Sequence, residues 1–302
     1  MPLESDLLID RHRLKRRLAV WRIVAVLAVV LAGVVAIPGG ARVGGQHIAR
    51  YTIAGMIGDG REQIEALADL RKDSSVSAIL LHLDTPGGAV SGGEGIHAAV
   101  ESLAAVKPVV AVMDGMAASA GYMIAVATPH IVARESTLTG SIGVIMELGD
   151  ISGLLEKIGV KPDQLVSGPL KGQPSFTQPL SGPGRAYLQG LVMDLFEQFV
   201  GLVAQGRHMD PAKVRTLADG RAFTGRQALA AGLVDEIGGE AEAITWLQSQ
   251  RHIPADLPVT DVLKGTWIQR MAATSLSSVV VAAKDALRVD GVWAVWQPSL
   301  DR

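Results

Sequence analysis

Two runs of residues decide most of what this chain can become. Ser77-Ala78-Ile79-Leu80-Leu81-His82-Leu83-Asp84 and Pro108-Val109-Val110-Ala111-Val112-Met113 are apolar at both parities. A strand of that kind has to be covered on both faces. Each run ends at a glycine-containing break and is followed by helix-forming composition, over residues 91–103 and 118–127. Strands alternating with helices at this spacing predict an α/β fold with a mainly parallel sheet. Residues 51–57 and 61–70 supply an earlier strand and helix. Residues 131–133 and 142–146 read as further strands, and 151–158 as a helix.

From Pro183 the character changes. Leu188, Leu191, Val192, Leu195, Phe199, Leu202 and Val203 recur at i, i+3 and i+4, which predicts a long amphipathic helix. Asp210-Pro211 opens a second helix, with Asp as cap and Pro in the first turn. Thr224 caps a third, and Gly232 stops it. This part reads as a helical extension that packs rather than reacts. Residues 267–287 have a weaker amphipathic pattern, with Trp293 and Trp296 beyond it.

The N-terminus bears on location. Arg11, Arg13, Lys15, Arg16 and Arg17 precede an apolar run over residues 18–38 broken only by Arg22, and Pro38-Gly39-Gly40 ends it. About 20 apolar residues span a bilayer, and Arg22 can snorkel to the headgroups. The basic cluster then stays cytoplasmic and everything after the run lies on the far side. A cleaved signal peptide fits less well, because the leading region is long and no Ala-x-Ala site follows. The expected layout is a basic N-terminus over 1–17, an anchor over 18–38 and a linker over 39–50. A catalytic domain over 51–250 and an extension over 251–302 complete it.

Composition excludes more than it suggests. The net charge is -2 and the basic residues beyond the N-terminus are dispersed, so no phosphate-reading stripe exists. With 0 cysteines there is no disulfide, no thiol nucleophile and no thiolate metal site. The 7 histidines are scattered without metal-ligand spacing, and none stands in a sequence context that pairs it with an acid. Neither metal nor cofactor is expected.

Three stretches carry chemistry. In Asp114-Gly115-Met116-Ala117-Ala118-Ser119-Ala120-Gly121-Tyr122, Asp114 and Gly115 break the strand, and Ser119 falls at the turn into a helix. The first amides of a helix lack intrahelical acceptors and can hold a developing oxyanion. The plainer reading makes Ser119 only a helix cap. In Asp84-Thr85-Pro86-Gly87-Gly88, paired glycines after a buried strand let a backbone amide approach a ligand. Ligands of open α/β sheets bind at the carboxyl ends of the strands, so both turns should open at one edge. A serine hydroxyl needs a base. The loop Val166-Ser167-Gly168-Pro169-Leu170-Lys171-Gly172 offers one amine among small and apolar residues. To take a proton that amine must be uncharged, which burial favours.

Taken in order, Asp84–Gly88, Met116–Tyr122, Thr139-Gly140-Ser141-Ile142-Gly143, Ser167–Lys171 and Phe223-Thr224-Gly225 with Ala231-Gly232-Leu233-Val234-Asp235 resemble the SppA-type signal peptide peptidases. The resemblance covers roughly residues 50–245. It implies a ClpP/crotonase-like fold of repeated β-β-α units with a helical extension, and a Ser–Lys dyad. By position Ser119 becomes the nucleophile, Lys171 the general base, the amides of Gly88 and Ala120 the oxyanion hole, and Ser141 an orienter of the lysine. It further implies a membrane anchor, apolar peptide substrates such as cleaved signal peptides, and ring-like homo-oligomers in which serine and lysine meet across a subunit boundary. The bacterial inner membrane, with the catalytic part outside the cytoplasm, is the location this predicts. Where relatives carry Gly-Gly-Tyr-Tyr after the serine, this chain has Ala120-Gly121-Tyr122-Met123, which bears on the substrate groove more than on the amides. Two other readings use the same residues. One is a crotonase-type acyl-CoA hydratase or isomerase, for which only Glu94 stands early in the helix after Gly88. The other is a non-catalytic membrane scaffold.

Overall fold

The structure is a computed structural model that describes residues 17–26 and 45–262. Residues 17–26 are helical (α1) and exposed. No helix among the described residues is long and apolar enough to cross a membrane. The rest of the expected span, like the helix expected over 267–287, lies outside them.

The strands are β1 (His47–Ala54), β2 (Val76–Thr85), β3 (Val109–Ala118), β4 (Ile131–Ala133), β5 (Leu138–Gly140), β6 (Ala222–Thr224), β7 (Glu236–Ile237) and β8 (Val259–Asp261). They form one sheet in the order β6-β5-β3-β2-β1-β8, with β4 between β3 and β7. Every pairing is parallel except β5 with β6. Helices α2 (Arg61–Lys72), α3 (Val90–Ala104) and α4 (Ala120–Ala125) follow the first three strands in turn. Next come α5 (Ser152–Lys157), α6 (Gly182–Gly206), α7 (Pro211–Leu217), α8 (Gly225–Ala231) and α9 (Glu240–Arg251).

Strand parity explains the layers. Successive side chains of a strand point to opposite faces. Ile79, Leu81 and Leu83 of β2, with Val109, Ala111 and Met113 of β3, share a core with Ile96, Val100, Phe199 and Val203 of α3 and α6. The alternate residues Ala78, Leu80, Val110 and Val112 pack on Ala243 and Leu247 of α9. Helices on both faces are what doubly apolar strands require, and the sheet is the mixed α/β architecture their pattern predicts.

Three boundaries differ from the sequence reading, each for a local reason. The first strand starts at His47, inside the expected linker, and Gly55 ends it with φ 78°. Asp114 and Gly115 do not end β3, which runs to Ala118. There β3 changes partner, pairing with β4 through Ala111, Val112 and Met113 and with β5 through Met116, Ala117 and Ala118. Residues 142–146 are not a strand; β5 precedes them, and positive φ at Gly140 and Ser141 turns the chain out of the sheet.

The helical region follows its sequence signals closely. Ser181 Oγ caps α6 and accepts from Gly184 N–H, and Asp210 caps α7. Thr224 and Gln227 form a capping box on α8, which ends at Gly232 with φ 78°. Along α6 only Leu188 of the early stripe is buried, whereas Phe199, Val200 and Val203 dock fully. The 25 residues of α6 measure about 37 Å, and their first half, with Tyr187, Leu191 and Met193 exposed, reaches past the core.

The late signature is a buttress. Arg207, at the end of α6, donates to Asp235 Oδ1 and Oδ2 at 2.6 and 2.8 Å and to Gly232 C=O at 3.0 Å. Asp235 also accepts from Ile131 N–H at 2.8 Å. Burial alone would push the Asp235 carboxyl up, but Arg207 and that amide hold it below the ordinary range. The unfolded chain therefore takes up this proton first on acidification. The stability from the pair is present above the unfolded value of about 4 and is lost as pH falls from there through the lower folded value. Asp235→Asn is expected to lower the unfolding midpoint at pH 7 and to flatten its fall between about pH 5 and 3. Thermal melts across that range check it.

Candidate active site

Ser119 follows β3 directly and stands at the N-cap of α4, yet its side chain makes no cap hydrogen bond. The plainer reading of this serine as a helix cap is therefore wrong. Its backbone lies at φ 53°, ψ -121°, a conformation that costs a non-glycine residue roughly 1–3 kcal/mol. Two main-chain bonds hold it there, Ser119 N–H to Gly140 C=O at 2.8 Å and Met123 N–H to Ser119 C=O at 2.9 Å. Among the described residues the hydroxyl of this partly exposed, strained residue makes no hydrogen bond.

The Asp84–Gly88 turn lies against it, so both turns open at one edge of the sheet as their strand positions predict. Gly87 N–H donates to Thr85 Oγ1 at 3.1 Å. A Cβ on Gly87 would meet Ser119 Cβ at 2.8 Å and Ala120 N at 3.0 Å, and φ is +105° there. Gly88 bridges to Ile57, whose N–H donates to Gly87 C=O at 2.8 Å while its C=O accepts from Ala89 N–H at 2.9 Å. A Cβ on Gly88 would fall 2.1 Å from Ile57 O. Both glycines are thus fixed by close backbone approach. Among the described residues neither Gly88 N–H nor Ala120 N–H donates to a protein acceptor.

Residues around Ser119 are packed to stay put. Gly121 leaves room for Thr85, whose Cγ2 would lie 2.6 Å from an added Cβ. Tyr122 is fully buried and donates to Leu233 C=O at 2.8 Å, tying α4 to the late signature. Burial pushes that phenol well above its ordinary value, so it stays a donor. Ser141 N–H donates to Arg221 C=O at 3.0 Å, one residue from the carbonyl that holds Ser119. Phe223 packs on Gly140, where a Cβ would meet its ring at 2.7 Å.

Among the described residues Lys171 is not joined to this group. It is exposed on its loop, its amide donates to Gly168 C=O at 3.0 Å, and among the described residues its ammonium has no hydrogen bond or ion pair. The burial expected for it does not come from the described residues. The surrounding segment is also bare of core contacts: Ile145 is 84% exposed, Leu165 97% and Phe176 70%.

The histidines need one correction. His82 and His130 do face acids, which their sequence contexts did not reveal. His82 Nδ1 lies 2.9 Å from Asp114 Oδ2 and Nε2 3.0 Å from Glu240 Oε2. His130 stacks on Trp246 at 4.6 Å with Nε2 3.2 Å from Glu236. His82 belongs to the α9 side of β2, and both its nitrogens are occupied, so it is no base for Ser119. No group of His, Asp or Glu suited to a metal occurs among the described residues.

A free strained serine beside unpartnered amides is the equipment of a serine hydrolase. Residues 101–253 match peptidase family S49, and the chain belongs to that family: it is a serine peptidase of the SppA type. It is 38% identical over 221 residues to a Synechocystis protein named as a protease, covering 72% of this chain and 79% of that one. Protease 4 of Salmonella typhi is 39% identical over 59% of this chain, and the chloroplastic serine protease SPPA of Arabidopsis thaliana 32% over 65%. The chain spans only 29% of each of these two. Among solved structures, a membrane-bound stomatin-specific protease is similar at TM-score 0.47 and 15% identity, over 73% of this chain and 99% of that one. The family excludes the acyl-CoA and scaffold readings.

Proposed function

We propose that the chain is a membrane-anchored endopeptidase that degrades apolar, extended peptides such as cleaved signal peptides through a Ser119–Lys171 dyad. The observation that carries the reading is the strained Ser119, its hydroxyl unused by the helix it starts, with Gly87 against it and the Gly88 and Ala120 amides unpartnered. Lys171 takes the hydroxyl proton, Ser119 attacks the peptide carbonyl, and the two amides hold the oxyanion. Lys171 then protonates the leaving amine and activates water against the acyl-enzyme. Ser141 orients the lysine. No metal or cofactor enters the scheme.

The lysine comes from a neighbouring copy. Supporting this are its exposure and the apolar residues around it, Leu154, Ile158, Leu165 and Phe176, too many for a surface facing only water. The projecting half of α6 exposes Leu191 and Met193 as further apolar contact area. A ring of copies would cover this segment and desolvate the amine. Residues 18–38 anchor each copy in the bacterial inner membrane, with the catalytic part outside the cytoplasm, where released signal peptides are at hand.

The test is cleavage of a synthetic signal peptide by the full chain in detergent micelles, together with mapping of a fluorophosphonate label. Cleavage with the label on Ser119 is the expected result; label elsewhere, or none with active enzyme, removes this serine from the reaction. Gly88→Ala tests the oxyanion site separately. The added Cβ would displace the turn from Ile57, and kcat is expected to fall about 100- to 1,000-fold, the usual effect of losing one such donor.

A further inference from the structure

We infer that His82 is a positioning residue for Ser119, acting through Asp114 at the bend of β3; this rests on the reading of Ser119 as nucleophile. Ser119 is placed by the upper half of β3, and that half is set by where the strand leaves β4 for β5. At this point the ladder to β2 slips. Leu83 pairs with Met113 and Thr85 with Ala117, so one residue of β2 faces three of β3. Backbone pairing to β2 therefore leaves residues 114–116 unfixed, and side chains take over.

His82 reaches Asp114 Oδ2 at 2.9 Å, and Asp84 Oδ1 accepts from Met116 N–H at 3.1 Å. Thr137 Oγ1 adds a bond to Asp114 C=O at 2.6 Å. Of these ties, only His82 connects the bend to the far side of the sheet. Its other nitrogen meets Glu240, at the first residue of α9, which accepts from Arg50 Nη2 and Nε at 2.5 and 2.7 Å. Arg50 in turn donates to Asp261 at 2.6 Å. Arg50, His82 and Asp114 come from β1, β2 and β3, and strand parity puts all of them on the α9 face. The His82 side chain is 11% exposed, and those of Asp114 and Glu240 are 33% and 28% exposed, so the link is partly buried. A partly buried, charge-assisted link tied into three strands holds the bend in place, and a displacement of about 1 Å at a nucleophile can cost a factor near 100.

The experiment uses the full chain, with steady-state cleavage of the synthetic signal peptide, the rate of fluorophosphonate labelling and a thermal melt for each variant. His82→Leu is expected to lower kcat about 10- to 100-fold with KM within about twofold, because the hydroxyl is misplaced while the groove persists. Labelling should slow in parallel. His82→Gln keeps one N–H donor for Asp114 and should recover part of both rates. Should His82→Leu not fold, Asp114→Ala cuts the same link from the other side, leaves His82 with Glu240, and should give the same loss. A folded His82→Leu or Asp114→Ala with wild-type kcat and labelling overturns the inference, and so does a loss confined to KM. Ser119→Ala separates the two readings. An inactive Ser119→Ala beside unaffected His82 and Asp114 variants sinks only the positioning role, whereas an active one sinks both.

Discussion

Ser119→Ala is expected to lower kcat for peptide cleavage at least about 10,000-fold, as loss of a nucleophile does in other serine peptidases, while leaving the fold intact. The fold should survive because among the described residues the serine hydroxyl makes no hydrogen bond, and the residue is fixed by its own N–H and C=O through Gly140 and Met123. Any change in stability should come from the backbone. Alanine at φ 53° is no less strained than serine, so the melting temperature should move little. Measuring kcat and the melt on the same preparation tests both halves, and residual cleavage near the wild-type rate would remove Ser119 from the chemistry.

The second large effect is at Lys171. Lys171→Ala is expected to cost about 100- to 10,000-fold in kcat, the range for losing a positioned general base. Because the residue is exposed within one chain, the substitution should not destabilise the subunit.

What was legible in the sequence follows from period and parity. The doubly apolar runs at 77–84 and 108–113 gave the parallel sheet, its two helical layers and the shared edge of both turns, since strand direction fixes where a βα turn opens. Caps at Asp210 and Thr224 were readable because capping is chemistry within four residues. The misses are tertiary. Asp114-Gly115 looks like a break, and it continues as strand because His82, Asp84 and Thr137 from two other elements satisfy the irregular stretch. The free state of the Ser119 hydroxyl depends on a backbone conformation imposed by Gly140, which no local pattern encodes. His82 gained its acids only through strand register and the start of α9. The place of Lys171 was the least legible of all, because among the described residues it is exposed and nothing joins it to Ser119.

Co-expression of Ser119→Ala with Lys171→Ala tests the central claim most directly. Each variant alone should be inactive, and mixed assemblies should regain cleavage, because some boundaries pair an intact serine from one copy with an intact lysine from the next. Mixed assemblies as inactive as either parent would contradict a catalytic pair formed between subunits.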